Sequence, residues 1–126
     1  MNQVTVASQD VARALTFYRQ LGLRLIVDSL PRYVRLACPD GNSTLSIHLA
    51  EGKVHSQTIV YFECDDLDAR VAALKRAGIS FTQDPVDQPW LWREAHLHDP
   101  DGNPICLFRA GENRLNPPWQ VGRAEV

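Results

Sequence analysis

The chain has 126 residues, 44% of them hydrophobic and 22% charged, with a formal net charge of -2. That length fits one domain with its own core, and a slightly acidic balance with scattered arginines excludes nucleic acid as a main partner. No apolar run is long enough to span a bilayer, the first residues lack the pattern of a leader, and Cys38, Cys64 and Cys106 do not have the spacing of a disulfide framework or a zinc finger. A soluble cytoplasmic domain without membrane attachment is expected.

In chain order, "QVTVA" predicts a first strand. Asp10 then stands as N-cap before "VARALTFYRQLG", where Val11, Ala14, Leu15, Tyr18 and Leu21 recur at helical spacing and Gly22 supplies a stop. "LRLIVD", "YVRLAC" and "TLSIHL" follow as strands, the last two separated by the turn tetrapeptide Pro39-Asp40-Gly41-Asn42. The order then recurs. "TIVYFEC" precedes Asp66, a helix over "LDARVAALKRAG" with Leu67, Val71, Leu74 and Ala77 on one face, and Gly78. "ISFT", "LWREAHL" and "ICLF" are the next strands, with Pro100-Asp101-Gly102-Asn103 before the last. Asp10 to Asp66 and Gly22 to Gly78 are equal offsets, so cap, helix and stop repeat together. The second copy is longer between helix and turn, the extra residues falling in "TQDPVDQPW", which reads as a loop. A helix and four strands per copy make two strand–helix–strand–strand–strand modules at about 2–50 and 57–109 within a single domain, 1–126, with a tail over 110–126. One helix covers only one face of such a sheet, so the other face needs a partner.

With "DVARALTFYRQLGL", "FECDDLDARVAALKRAGISF" and "DPDGN" before the last strand, the chain resembles the vicinal-oxygen-chelate superfamily over about residues 2–110. That group includes glyoxalase I, bleomycin resistance proteins, thiol-transferring fosfomycin resistance enzymes and extradiol dioxygenases. The resemblance implies an α+β fold of two βαβββ modules forming an incomplete barrel around a ligand cavity, and a homodimer. It also implies metal ligands on the first and fourth strands of each module. Three of these positions align with Gln3, Ile59 and Cys106. Ile59 has no donor, Gln3 is a poor ligand for transition ions, and Cys106 suits only softer ones. The inherited metal site is therefore largely missing.

The fourth position lies in "TLSIHLAE", whose alignment is ambiguous by one residue. A gapless copy of the second repeat aims Leu45 and Ile47 inward. Burial favours the opposite phase, with Leu45, Ile47 and Leu49 toward the helix and Ser46 and His48 toward the cavity. The alternative for His48 is a solvent-facing or hydrogen-bonded core histidine.

The seventh strand is the most polar interior candidate. Leu91, Arg93, Ala95 and Leu97 take one face, and Trp92, Glu94 and His96 the other. Glu94 and His96 leave that face about 6.5–7 Å apart, close enough to reach one ligand. In the fosfomycin enzymes that the chain resembles, the position of His96 points at substrate. Glu94 is the candidate general base and His96 its catalytic companion, against a purely structural Glu–His pair. Tyr61, Trp90, Trp92 and Phe108 are candidate aromatic walls, and Cys106 reads better as a small buried hydrophobe than as a nucleophile. Gln3, Ser46, His48, Tyr61, Trp92, Cys106 and Phe108 complete the expected ligand contacts. The reading is a cavity protein for a small organic molecule, of the bleomycin-resistance type, without cofactor. The alternative is a metal-dependent lyase, isomerase or dioxygenase with a divalent ion at an atypical His48, Glu94 and His96 site.

Overall fold

Asp10 has extended backbone angles, φ −144° and ψ 91°, and its carboxylate accepts the Arg13 backbone N–H, which fixes the start of helix α1 (Val11–Gln20). The helix ends in a Schellman motif: Gly22 takes φ 101°, its N–H reaches the Arg19 carbonyl, and the Leu23 N–H reaches the Tyr18 carbonyl. The computed structural model describes residues 1–122, so the last four residues of the expected tail lie outside the described residues. Helix α2 (Leu67–Arg76) closes the same way, through Gly78 at φ 95° and bonds from Gly78 and Ile79 to Lys75 and Leu74. Its start differs from expectation. Asp66 occupies the cap position at φ −115° and ψ 49°, outside the extended region, and its side chain makes no cap hydrogen bond.

The first module holds β1 (Gln3–Ser8), α1, β2 (Arg24–Ser29), β3 (Tyr33–Ala37) and β4 (Thr44–Leu49). The second holds β5 (Val60–Glu63), α2, β6 (Gln83–Asp87), β7 (Arg93–His98) and β8 (Pro104–Arg109). Two four-stranded sheets result, ordered β1-β4-β3-β2 and β5-β8-β7-β6, each open at both edges. β1 runs parallel to β4 and β5 parallel to β8, while β2/β3, β3/β4 and β6/β7 are antiparallel. This is the α+β fold of two βαβββ modules that the repeat predicted. Gly41 and Gly102 occupy the same left-handed region, at φ 74° and 84°, so the two Pro-Asp-Gly-Asn turns share their need for glycine.

The sixth strand is a correction. "ISFT" is not a strand; the strand is the segment read as loop, "QDPVD". The Ile79 N–H is consumed in closing α2, and pairing with β7 begins only at Thr82, whose N–H reaches the His96 carbonyl at 2.8 Å. Pro85 fits because β6 is an edge strand and its register shifts between Gln83 and Val86.

By contacts, the chain divides into two units, Met1–Ile59 with His98–Pro104, and Val60–Leu97 with the chain from Ile105 on. In the first, Val11, Ala14, Leu15 and Tyr18 of α1 are buried along with Val34, Leu36, Leu45 and Ile47 of the sheet. In the second, Leu67, Val71 and Leu74 of α2 and Ala95, Leu97, Ile105 and Leu107 of the sheet are buried. Among the described residues no helix is long and apolar enough to cross a membrane.

Candidate functional site

Side-chain alternation on β7 sets the face that matters. Arg93 reaches Asp68 on α2 at 2.9 and 3.2 Å, so Arg93, Ala95 and Leu97 share the helix side. Glu94 and His96 point the other way, the phase expected from the sequence. Glu94 is buried, at 3% exposure, yet both carboxylate oxygens are engaged. The Trp90 indole N–H donates to Oε2 at 2.6 Å, and His96 Nε2 lies 2.9 Å from Oε1. Trp90 gets there through a tight turn: Leu91 takes φ 68° and its N–H bonds to the Gln88 carbonyl.

The neighbouring strand β8 brings Cys106 to the same face. Its thiol sulfur, a Glu94 oxygen and a His96 nitrogen all lie within 4.8 Å of one another. Burial, with the Glu94 carboxylate next in importance, pushes the Cys106 thiol up to about 12. Cys106 is fully buried, as expected of a small core residue. The sequence placed no histidine beside it, however, and the fold places His96 there.

Beyond this cluster the face is aromatic. Trp92 and Phe108 stack with centroids 4.6 Å apart, and the Tyr61 ring stands edge-on to both at 6.0 and 5.6 Å. The Trp92 indole donates to the Asn113 carbonyl at 3.3 Å, while Glu63 accepts the backbone N–H groups of Ala110 and Gly111. These bonds seat the start of the tail on the second unit. Tyr61 keeps 43% of its surface exposed, and Trp90 45%.

The first unit has its own polar face. Leu45 and Ile47 are buried on the α1 side of β4, so Thr44, Ser46 and His48 occupy the other. There the Gln3 amide donates to Ser46 at 2.9 Å and accepts from Thr44. Tyr33 Oη lies 2.7 Å from Ser46 Oγ and accepts from Arg35 Nε at 3.0 Å. The Ser46 bond, with Arg35 in support, holds the Tyr33 phenol below its usual range. His48 is exposed, with Nδ1 3.1 Å from the Leu49 carbonyl oxygen. Tyr33 and Arg35 went unnoticed in the sequence, although they alternate with the buried Val34 and Leu36.

The metal positions implied by family resemblance do not fit a metal here. Of the three aligned positions, the Gln3 amide is committed to Ser46 and Thr44, Ile59 has no donor and lies just ahead of β5, and Cys106 alone is a transition-metal ligand. The described residues do hold one group of potential ligands, Glu94, His96 and Cys106; His48 lies in the first unit and is not a member.

Paired βαβββ modules, each an open four-stranded sheet with one helix, define a class of proteins, and comparison with known proteins gives that class its name. Residues 1–107 match the family model of the Glyoxalase/Bleomycin resistance protein/Dioxygenase superfamily, and the chain belongs to that superfamily. Among solved structures it is similar to a glyoxalase/bleomycin resistance protein/dioxygenase from Nocardioides, at 21% identity over 96% of this chain and 88% of that one, with a TM-score of 0.76. It is also similar to lactoylglutathione lyase from Agrobacterium tumefaciens, at 18% identity over 86% and 92%, with a TM-score of 0.74. A bleomycin-binding protein complexed with bleomycin matches at 23% identity over 86% and 97%, with a TM-score of 0.69. These likenesses establish the fold. No curated protein matched the chain.

Proposed function

We propose that the protein binds a small organic molecule, in the manner of the bleomycin-resistance branch of its superfamily, and does so without the inherited metal set. The observation that carries this reading is one face of the second sheet, where buried Glu94, hydrogen-bonded to part-exposed His96, lies on the same side as the Tyr61, Trp92 and Phe108 cluster. A ligand site combines an apolar wall with a few fixed polar groups, and this face has both. Tyr61 and Trp90 offer exposed ring surface to a planar group, while Glu94 and His96 offer an acceptor and a titratable ring to its polar end. Gln3, Ser46 and His48 are the proposed contacts of the first module. The two modules act as one domain, in a cytoplasmic homodimer. Likeness to a bleomycin-binding protein supports the ligand class.

The test uses 8-anilinonaphthalene-1-sulfonate as a planar aromatic probe. We expect saturable enhancement at one site per chain, weakened by Tyr61→Ala. Binding that fails to saturate, or that ignores Tyr61→Ala, counts against the reading.

A second reading, a metal-dependent lyase, isomerase or dioxygenase, is favoured by one observation. Glu94, His96 and Cys106 group three potential donors on adjacent strands. Glu94 then serves as proton acceptor only if it is not itself a ligand, so the two roles exclude each other.

A further inference from the structure

We propose that Glu94, His96 and Cys106 form a binding site for a thiophilic divalent cation, zinc being the type case. The geometry comes from the sheet. Residues i and i+2 on β7 present Glu94 and His96 on one face, and β8, its neighbour, presents Cys106 on that face. Tetrahedral zinc, with bonds of about 2.0–2.3 Å, holds its donors roughly 3.3–3.7 Å apart. Here the His96–Glu94 pair at 2.9 Å must open slightly and the remaining separations, at most 4.8 Å, must close by about 1 Å. Adjustments of that size lie within the range of side-chain torsions.

The surroundings favour the ion. Glu94 is buried with an indole and an imidazole as its partners, and neither is a permanent cation. A divalent ion between Oε1 and Nε2 supplies the missing positive charge. Trp90 meanwhile keeps its bond to Oε2 and fixes the carboxylate from the outer shell. One sulfur, one imidazole nitrogen and one carboxylate oxygen select zinc or cobalt(II) over magnesium or calcium. Three protein ligands leave a fourth position for an oxygen of a bound molecule. His96, part-exposed, lies on its open side. The set shares only Cys106 with the positions implied by family resemblance, and it excludes His48.

The experiment is titration of metal-free protein with cobalt(II) alone, followed by absorbance. Wild type should take up one equivalent and develop a near-ultraviolet thiolate-to-cobalt band, which Cys106→Ser abolishes. Glu94→Gln should weaken uptake by at least the roughly 10–100-fold that loss of an outer-shell partner costs. A large excess of magnesium should not compete. No thiolate band in wild type, or a band that survives Cys106→Ser through Cys38 or Cys64, overturns the proposal. Circular dichroism checks folding, and if Cys106→Ser does not fold, the wild-type band and its response to Glu94→Gln decide. Dye binding by the aromatic face is measured without metal, so either proposal can fail while the other stands.

Discussion

The Tyr18 phenol donates a 2.7 Å hydrogen bond to Asp99 Oδ2, inside the first unit and out of reach of solvent. Asp99 also accepts the backbone N–H groups of Asp101 and Asn103 and the Asn103 amide, which donates in turn to the Ala7 carbonyl. One carboxylate therefore holds the second Pro-Asp-Gly-Asn turn together and joins it to α1.

Tyr18→Phe should destabilise the protein by about 1–3 kcal/mol near neutral pH, the cost of removing a partner from a buried charged acceptor. Burial first, and Asp99 second, hold the Tyr18 phenol well above its ordinary value of 10.0. A raised folded-state value means that this stability is fully present below about pH 10 and falls as pH rises beyond it, by about 1.4 kcal/mol per unit. Urea midpoints at about pH 8 and about pH 11 should therefore show the difference between wild type and Tyr18→Phe shrinking at the higher pH. A constant difference would show that the phenol is not the group concerned.

Arg93 bridges Asp68 on α2 and Asp87 on β6 at the surface. The Arg93 hydrogen bond is the main reason that the Asp68 carboxyl lies below the usual carboxylate range. A depressed value contributes stability above the unfolded-state value, near 3.8, and loses it as pH falls further. Arg93→Ala should lower the thermal midpoint slightly at neutral pH and low salt. That deficit should fade in strong acid and in about 1 M salt, as expected for an exposed pair.

Local signals were the legible part of this chain. Gly22, Gly78, Gly41 and Gly102 act through their own backbone angles, and Asp10 through a carboxylate bonded three residues on, so the duplicated architecture could be read directly. Asp66 shows the limit: the residue type suits a cap, but the backbone at that position withholds the geometry. β6 was hidden because Pro85 reads as loop, and only its place at a sheet edge beside a register shift makes it a strand. The face shared by Glu94 and His96 followed from alternation. That Cys106 stands beside them depends on the pairing of β7 with β8, a non-local fact. The Trp90 bond to Glu94 depends on a left-handed Leu91 that no local preference announces.

Homodimer formation is the expected state in solution. Leu115, Trp119 and Val121 of the tail are 64%, 57% and 98% exposed in the single chain, apolar side chains that a second copy could cover. Light scattering at micromolar concentration should give twice the 14.2 kDa monomer mass. Trp119→Ala should shift the mass toward monomer if the tail takes part, and a monomeric wild type would refute the assignment.

Two substitutions of Glu94 separate binding from support. In Glu94→Gln the amide oxygen can still accept the Trp90 indole N–H, and the amide NH₂ can donate to a His96 ring nitrogen in the appropriate tautomer. Both hydrogen bonds survive in form, so stability should change by less than about 1 kcal/mol. Glu94→Ala removes the acceptor that the Trp90 indole and the His96 ring share at a buried position, which should cost about 1–3 kcal/mol. Binding behaves differently if the charge itself meets the ligand. Glu94→Gln should then weaken binding of a cationic or hydrogen-bond-donating ligand by about tenfold or more, the loss of at least 1.4 kcal/mol, despite near-native folding. Chemical denaturation and dye or ligand titration on the same two variants give both numbers. A Glu94→Gln protein that binds like wild type while Glu94→Ala merely unfolds more easily would reduce the Glu94–His96 pair to a structural element.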